Sequence, residues 1–187
     1  MTYLTQGIIL KKYHHGDFDR HYLIYTSDFG KINAIAKGAK KITSKLNSHL
    51  DYFSVCDLML ASGNNFERIA CAQTNQRFPG LSQNFFKSTA AIYFGEVVDA
   101  LIKFSGGDKS VFSILTNFLA SLDASEDKKD GLCLLNKSSY ELLKHLGYEP
   151  QIKAKNQKQL FKDLNRHILE TGEKEIKSFS FMLNFLT

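Results

Sequence analysis

Apolar and β-branched residues near the start of the chain occur in short runs, and turn residues separate these runs. The runs occupy residues 7–10, 22–26, 32–36, 53–60 and 66–71. Gly lies between them at positions 15–17, 27–30 and 62–65, accompanied by Asp, Asn or Ser. Short apolar runs bounded by such turn residues predict five β-strands.

The segment at residues 38–50 has little periodicity and is rich in Lys, Ser and Asn. We expect a long loop or a short helix here, between the third and fourth strands. Five antiparallel strands with an insertion in this place are typical of the small Greek-key barrel of the oligonucleotide/oligosaccharide-binding (OB) type.

The pattern changes at Pro79, one of only two prolines, where a helical spacing of apolar residues begins. The first helix is predicted from about residue 82 to 104, and four more follow. Their apolar markers are Phe94, Val97, Val98 and Leu101; Phe112, Leu115, Leu119 and Leu122; Leu132, Leu135, Leu142, Leu143 and Leu146; Leu160, Phe161, Leu164 and Ile168; and Ile176, Phe179, Leu183 and Leu186. The chain is therefore predicted to be α+β, with an N-terminal five-stranded OB-fold β-barrel at residues 1–78 and an α-helical domain at residues 79–187.

The net positive charge of the chain favours a polyanionic partner. The chain has a net charge of +5 and 43% hydrophobic residues, so it can bury a core and also attract a polyanion. Nine bases and six acids give residues 1–75 a net +3, while residues 76–150 sum to −1 and residues 151–187 to +3. The two basic parts of the chain are therefore the places to look for a polyanionic partner.

Residues 11–45 carry eight bases and three acids, and apolar runs separate these charges. Charges that alternate with apolar runs predict a positive groove on a folded surface, whereas an unbroken block of charge would predict a disordered tail. Phosphate contacts are predicted for Arg20, Lys31, Lys37, Lys40, Lys41 and Lys45. The alternative is a loop that is merely soluble.

Aromatic residues lie among these bases, and the mixture is the one that single-stranded nucleic acid binding uses. They are Tyr13, Phe18, Tyr22, Tyr25 and Phe29. Most aromatics at strand positions belong to a core, so the lysines are the stronger signal.

Other candidate motifs favour structural readings. The sequence Gly106-Gly107-Asp108-Lys109-Ser110 lacks the glycine spacing of a phosphate-binding loop, and Asp108 is better read as a helix N-cap. His14 and His15 are adjacent on a predicted strand and point to opposite faces, which does not suit a shared metal ion. No local nucleophile motif occurs, so no enzyme activity is predicted.

Three cysteines, Cys56, Cys71 and Cys133, are widely spaced and predict buried thiols without a zinc ribbon or a disulfide framework. The start of the chain lacks the order of a signal peptide, and no apolar run is long enough for a membrane span. We therefore expect no metal, no cofactor and no membrane contact, and a cytoplasmic location.

An ordered series of short motifs covers most of the chain. It consists of Gly16-Asp17-Phe18-Asp19-Arg20, Thr26, Gly30-Lys31, Ala36-Lys37-Gly38-Ala39-Lys40-Lys41, Ser44 and Leu46, then Phe78-Pro79-Gly80-Leu81, Tyr93, Glu96 and Asp99, and finally Leu146-Gly147-Tyr148-Glu149-Pro150. In order and spacing this series resembles the bacterial DNA repair protein RecO family of recombination mediators. Many members carry a zinc-binding cysteine module after the last motif, whereas no Cys follows it here. The resemblance is therefore to a form without that module, and no metal site is carried over.

The resemblance implies an OB barrel, a helical domain and a non-catalytic, nucleoid-associated role in DNA repair. Members of the family bind single- and double-stranded DNA and anneal complementary strands. They act with RecR and single-stranded DNA-binding protein (SSB) to help load the RecA recombinase, and the acidic, apolar-ended tail of SSB is the expected ligand of the helical domain. Two alternatives stay open at this point: an adaptor whose basic face binds an acidic peptide, and an RNA-binding OB protein.

Overall fold

The computed structural model describes residues 1–41, 44, 46–103 and 106–186. The chain forms two compact units, one of Met1–Arg77 with Phe104–Phe112 and one of Phe78–Lys103 with Ser113–Thr187. The limits of the OB-fold domain, residues 1–78, and of the helical domain, residues 79–187, stay a prediction. The compact unit of the N-terminal strands also takes in a segment from beyond residue 100.

Five strands form the first unit. They are β1 (Thr2–His15), β2 (Asp19–Thr26), β3 (Gly30–Ala36), β4 (Val55–Ala61) and β5 (Glu67–Gln76). They close into a barrel in the order β1-β2-β3-β5-β4, in which the β3–β5 pair is parallel and the other pairs are antiparallel. This closed five-stranded arrangement is the OB topology. The predicted α+β class with an N-terminal OB barrel is confirmed.

The long first strand serves both sides of the barrel. Its first half pairs with β4 and its second half with β2, and the register shifts between Ile9 and Lys11. A bulge of this kind bends a strand and increases its twist, which allows one strand to take part in closing the barrel. Beyond the bulge, Lys11 pairs with Leu23 and Tyr13 with His21.

The barrel core consists of inward-facing side chains and part of the segment that joins β3 to β4. Ile9, Ile24 and Leu58 are fully buried in it, as alternation along the strands requires. Ala39 and Leu50 of the joining segment are also fully buried in this core. The polar composition of this segment therefore does not keep Ala39 and Leu50 out of the core.

The helices are α1 (Pro79–Gln83), α2 (Phe85–Leu101), α3 (Lys109–Ala124), α4 (Lys128–His145), α5 (Gln157–Gly172) and α6 (Phe179–Leu183). The single helix expected from about residue 82 is split, because Asn84 takes an extended conformation and its side chain accepts the N–H of Lys87 as the N-cap of α2. Gly147 ends α4 with a φ of +83°. The N–H groups of Gly147 and Tyr148 return to the carbonyls of Lys144 and Leu143, which is a Schellman motif.

Helix α2 is the central helix of the second unit and contacts α1, α4, α5 and α6. Its Phe94 ring lies 4.4 Å from Phe118 of α3, and its Tyr93 ring lies 5.0 Å from Phe161 of α5. None of the helices that the structure describes is long and apolar enough to cross a membrane.

The segment before α3 lies against the barrel. The Tyr25 hydroxyl donates to the Asp108 carbonyl at 3.3 Å. Asp108 also caps α3, because its carboxylate accepts the N–H groups of Ser110 and Val111 at 2.8 and 3.2 Å. The N-cap interpretation of Asp108 is confirmed.

Candidate nucleic-acid interface

Two turns at one end of the barrel lie against each other, and we call them the paired turns. They are the β1–β2 hairpin turn at residues 16–18 and the turn after β3 at residues 37–41. The N–H of Gly38 donates to the Asp19 carboxylate at 2.7 Å. A backbone group bonded to a carboxylate fixes the position of the second turn relative to the hairpin.

The three lysines of the paired turns have different roles. Lys40 is an anchor, because its N–H donates to the Phe18 carbonyl at 2.9 Å and its ammonium donates to the Gly16 carbonyl at 2.8 Å. The Lys41 ammonium lies 5.4 Å from the centre of the exposed Phe18 ring. Lys37 is exposed beside them. Lys37 and Lys41 are therefore the cations best placed to meet a phosphate from solvent.

Arg20 lies next to these turns but is engaged with the protein. It pairs with Ala36 in the β2–β3 register, and its guanidinium donates to the Asn47 side-chain oxygen at 3.0 Å. Burial raises the pKa of the nearby Tyr22 phenol, and the positive charge of Arg20 opposes that rise. Arg20 therefore stabilises the end of the barrel. Its half-buried side chain is less accessible to a ligand than the exposed side chains of Lys37 and Lys41.

Lys31 lies apart from the other predicted residues. It pairs with Tyr25 at the opposite end of β3, six residues before Lys37, and is half-buried there. At the usual rise of a strand this places the two lysines roughly 20 Å apart. Lys45 lies outside the described residues.

A row of side chains crosses the outer face of the barrel beside the paired turns, and we call it the outer row. Tyr13 of β1 pairs with His21 of β2, His21 with Ile35 of β3, and Ile35 with Arg68 of β5. The Phe66 ring, just before β5, lies 4.4 Å from the His21 ring. The outer face of strands 2 and 3, with the β1–β2 and β4–β5 loops, is where OB barrels bind oligonucleotides.

The five aromatics predicted to lie among the bases divide into two groups. Tyr22 and Tyr25 are fully buried, whereas Tyr13, Phe18 and Phe29 are exposed. Tyr13 lies in the outer row and Phe18 in the paired turns. The exposed group is thus available to a ligand, while Tyr22 and Tyr25 stabilise the barrel.

Three residues of this surface were not among the predicted contacts. They are His21, Phe66 and Arg68, and the last two lie beyond the basic stretch of residues 11–45. Only the closure of β5 onto β3 brings Arg68 into the outer row. The β4–β5 loop belongs to the usual binding face of OB barrels, and that is the signal that could have pointed to Phe66.

The imidazole of His21 is held in its neutral form. Partial burial lowers the pKa of His21, and the nearby His15 lowers that pKa further when it carries a charge. The His15 and His21 rings lie 6.3 Å apart. Near neutral pH the surface therefore presents an uncharged flat ring between Tyr13 and Phe66.

The cysteines do not form a zinc site. Cys56 is buried and bonded to the His49 carbonyl, while Cys71 and Cys133 are exposed, so the expectation of buried thiols is wrong for these two. Within residues 1–41, 44, 46–103 and 106–186, no three His, Cys, Asp or Glu side chains lie close enough together to hold a metal ion. A zinc ion therefore does not fit the cysteines of this chain.

Comparison with known proteins gives a consistent family. Residues 1–92 match the family model described as "Recombination protein O N terminal". A protein named DNA repair protein RecO from Synechococcus sp. (strain JA-2-3B'a(2-13)) is 33% identical over 162 residues, which cover 82% of this chain and 57% of that protein. Another of the same name from Roseiflexus sp. (strain RS-1) is 35% identical over 154 residues, which cover 81% of this chain and 52% of that protein.

A third relative of the same name, from Synechocystis sp. (strain ATCC 27184 / PCC 6803 / Kazusa), is 31% identical over 150 residues, with 80% of this chain and 55% of that protein covered. The chain thus spans about half the length of the curated relatives it matches. The family model covers the barrel and the start of α2, and the relatives extend the match into the helical unit. The chain belongs to the RecO family.

Proposed function

We propose that this chain is a non-catalytic, DNA-binding recombination mediator in DNA repair. The observation that carries the proposal is the pair of lysines, Lys37 and Lys41, on a turn that is fixed to the β1–β2 hairpin turn at one end of an OB barrel. Cations on a fixed turn meet phosphates without a large loss of loop entropy. The names of the relatives, DNA repair protein RecO, point to the same role.

The finer activities rest on membership of the family. The chain binds single- and double-stranded DNA through phosphate contacts, anneals complementary strands and helps to load the RecA recombinase on SSB-coated DNA. RecR is its expected partner in loading. Annealing requires a surface that neutralises two backbones at once, and the closely spaced cations of the paired turns support such a surface.

The SSB tail is the proposed ligand of the helical unit. Phe85 is 71% exposed, and its ring lies 5.5 Å from that of Phe185. The Lys128 ammonium lies 5.4 Å from the centre of the Phe185 ring, and Phe181 is exposed. We call these four residues the phenylalanine patch. Exposed aromatic rings beside an ammonium suit an acidic peptide that ends in an apolar residue.

A salt titration of DNA binding tests the phosphate contacts. The double variant Lys37→Glu/Lys41→Glu is expected to bind a single-stranded oligonucleotide at least about tenfold more weakly at low salt. The slope of log K against log salt should also become shallower by about 1.4, because about 0.7 is lost for each phosphate contact on single strands. Fluorescence anisotropy of a labelled oligonucleotide measures both quantities.

A matched control separates position from total charge. Lys158→Glu/Lys162→Glu changes two exposed lysines of α5 and lowers the formal net charge from +5 to +1, as the test variant does. The control is expected to keep most of the affinity and the slope. Equal losses in the two variants, or binding by the wild type that does not change with salt, would contradict the proposal. Stronger binding of a matched RNA than of DNA would favour the RNA-binding alternative. Binding of an acidic peptide without any binding of DNA would favour the adaptor.

A further inference from the structure

Four aromatic rings adjoin on the outer face of the barrel. The His21 ring lies at their centre, 5.7 Å from Tyr13, 6.3 Å from His15 and 4.4 Å from Phe66. Tyr13 is 45% exposed and Phe66 is 37% exposed. Single exposed aromatics are common on protein surfaces, whereas several adjoining rings on an open sheet face indicate a binding surface.

The rings lie across the strands and between cations. The outer row runs from Tyr13 to Arg68 over four neighbouring strands, a distance of roughly 14 Å at the usual strand spacing. Arg68 is exposed at one end of the row. The paired turns, with Lys37 and Lys41, extend from the same end of β1, β2 and β3. A polyanion held by these cations therefore passes beside the rings.

Rings and cations in this arrangement can distinguish single-stranded from double-stranded DNA. An aromatic face can stack on any base whose own face is free, and the bases of a duplex have no free face. Resting on the proposed DNA-binding function, we infer that Tyr13, His21 and Phe66 form a stacking platform for unpaired bases. The ligand class of this surface is single-stranded DNA, and the paired turns hold its phosphates.

The neutral state of His21 supports this assignment. Its pKa is lowered by partial burial and by His15, so the ring is uncharged at neutral pH. Its Nε2 atom has no hydrogen-bond partner among the described residues and no contact with solvent. The ring thus serves as a flat packing surface between Tyr13 and Phe66.

An oligonucleotide without bases separates stacking from phosphate binding. The full chain is titrated with an oligo-dT of about 12 nucleotides and with an abasic oligonucleotide of the same phosphate count, a length within the range of one OB barrel. The wild type is expected to prefer the oligo-dT by about tenfold for each stacked base. Tyr13→Ala/Phe66→Ala should reduce this preference to near one and leave the salt dependence unchanged.

Tyr52→Ala is the matched control, because Tyr52 is an exposed tyrosine of the same barrel that packs under Lys12 outside the outer row. It should keep the full preference for bases. Phe66→Trp gives a direct reading of stacking, since the natural chain has no tryptophan. Its fluorescence should be quenched by oligo-dT and unchanged by the abasic strand, and this variant should keep the preference for bases that Tyr13→Ala/Phe66→Ala loses.

The outcomes distinguish this inference from the proposed function. A wild type that binds both oligonucleotides equally, with a steep salt dependence, overturns the stacking platform and leaves phosphate binding in place. The platform is also overturned if Tyr13→Ala/Phe66→Ala keeps the preference for oligo-dT over the abasic strand and its thermal unfolding curve shows that it is folded. Failure of the wild type to bind either oligonucleotide overturns both.

Discussion

Asp19 shows that a residue's formal charge does not give its effect on a binding surface. In the basic stretch it counts as a negative charge among lysines. In the structure its carboxylate accepts the Gly38 N–H at 2.7 Å, and this bond holds the turn that presents Lys37 and Lys41. Asp17 is two residues away and exposed. Asp19 thus positions the turn that carries the cations, whereas Asp17 only lowers the net positive charge of the surface.

Replacing each acid separately tests this difference. Asp19→Ala should lower the free energy of unfolding by about 1–2 kcal/mol, because a charge-assisted hydrogen bond is lost and a backbone donor is left unpaired. It should also weaken DNA binding, although the surface gains a positive charge. Asp17→Ala gains the same charge and should bind equally well or more tightly. Urea unfolding and anisotropy measure the two quantities, and tighter binding by Asp19→Ala would contradict the positioning role.

The three residues that resemble the start of the family's helical domain join α2 to the last part of the chain. The Tyr93 hydroxyl donates to the Asn165 side-chain oxygen at 3.0 Å. Glu96 accepts the N–H and the hydroxyl of Ser178 at 2.9 and 2.8 Å. Asp99, buried in α2, accepts the Lys174 ammonium at 2.5 Å. A helix that is buried on nearly every side thus uses its polar residues to hold α5 and the segment after it.

The segment before α3 depends on close contact between two backbones. A Cβ added at Gly107 would lie 2.1 Å from the Asp28 carbonyl oxygen, and one added at Gly30 would lie 2.3 Å from the Gly106 carbonyl oxygen. Neither position can hold a side chain unless the backbones separate. The β2–β3 turn and this segment therefore pack as one piece.

Two neighbouring glycines provide a test with an internal control. Gly107→Ala should destabilise the barrel by about 1–3 kcal/mol, as overpacking of a tight contact does. Gly106→Ala should have little effect, because an added Cβ there has no atom within 4 Å among the described residues. Thermal unfolding of both variants measures the difference. Equal stability of the two would show that the contact contributes little.

Two surfaces with different proposed ligands lie on the two units of the chain. The paired turns and the outer row belong to the barrel, and the phenylalanine patch belongs to the helical unit. We expect the two surfaces to bind their ligands independently.

Separation of the two activities tests this expectation. Phe85→Ala/Lys128→Glu should lose at least about tenfold in affinity for an acidic peptide with an apolar carboxyl end, because hot-spot aromatics contribute most of such binding energy. It should keep its affinity for oligo-dT. Lys37→Glu/Lys41→Glu should show the reverse pattern, and Tyr148→Ala, an exposed tyrosine outside the patch, should change neither. Isothermal calorimetry measures both ligands, and loss of both activities in either variant would contradict independence.

The sequence by itself determined the number and approximate place of the strands, the helical second half and the helix stop at Gly147, because these depend on local periodicity and turn chemistry. It did not determine which cations lie together. Lys31 and Lys37 are six residues apart, yet an extended strand separates them, while Lys40 turns back to brace the hairpin.

The outer row was decided only by the tertiary structure. Its members come from β1, β2, β3 and β5, and they meet because of strand register, which depends on contacts between residues far apart in the chain. The bulge between Ile9 and Lys11 also shifts the pairing of β1 with β2 by one residue. Local pattern cannot show such a shift, because it concerns the partner strand as much as the strand itself. The sequence therefore predicted a basic OB barrel, and the closure of the barrel decided which side chains form the proposed binding surface.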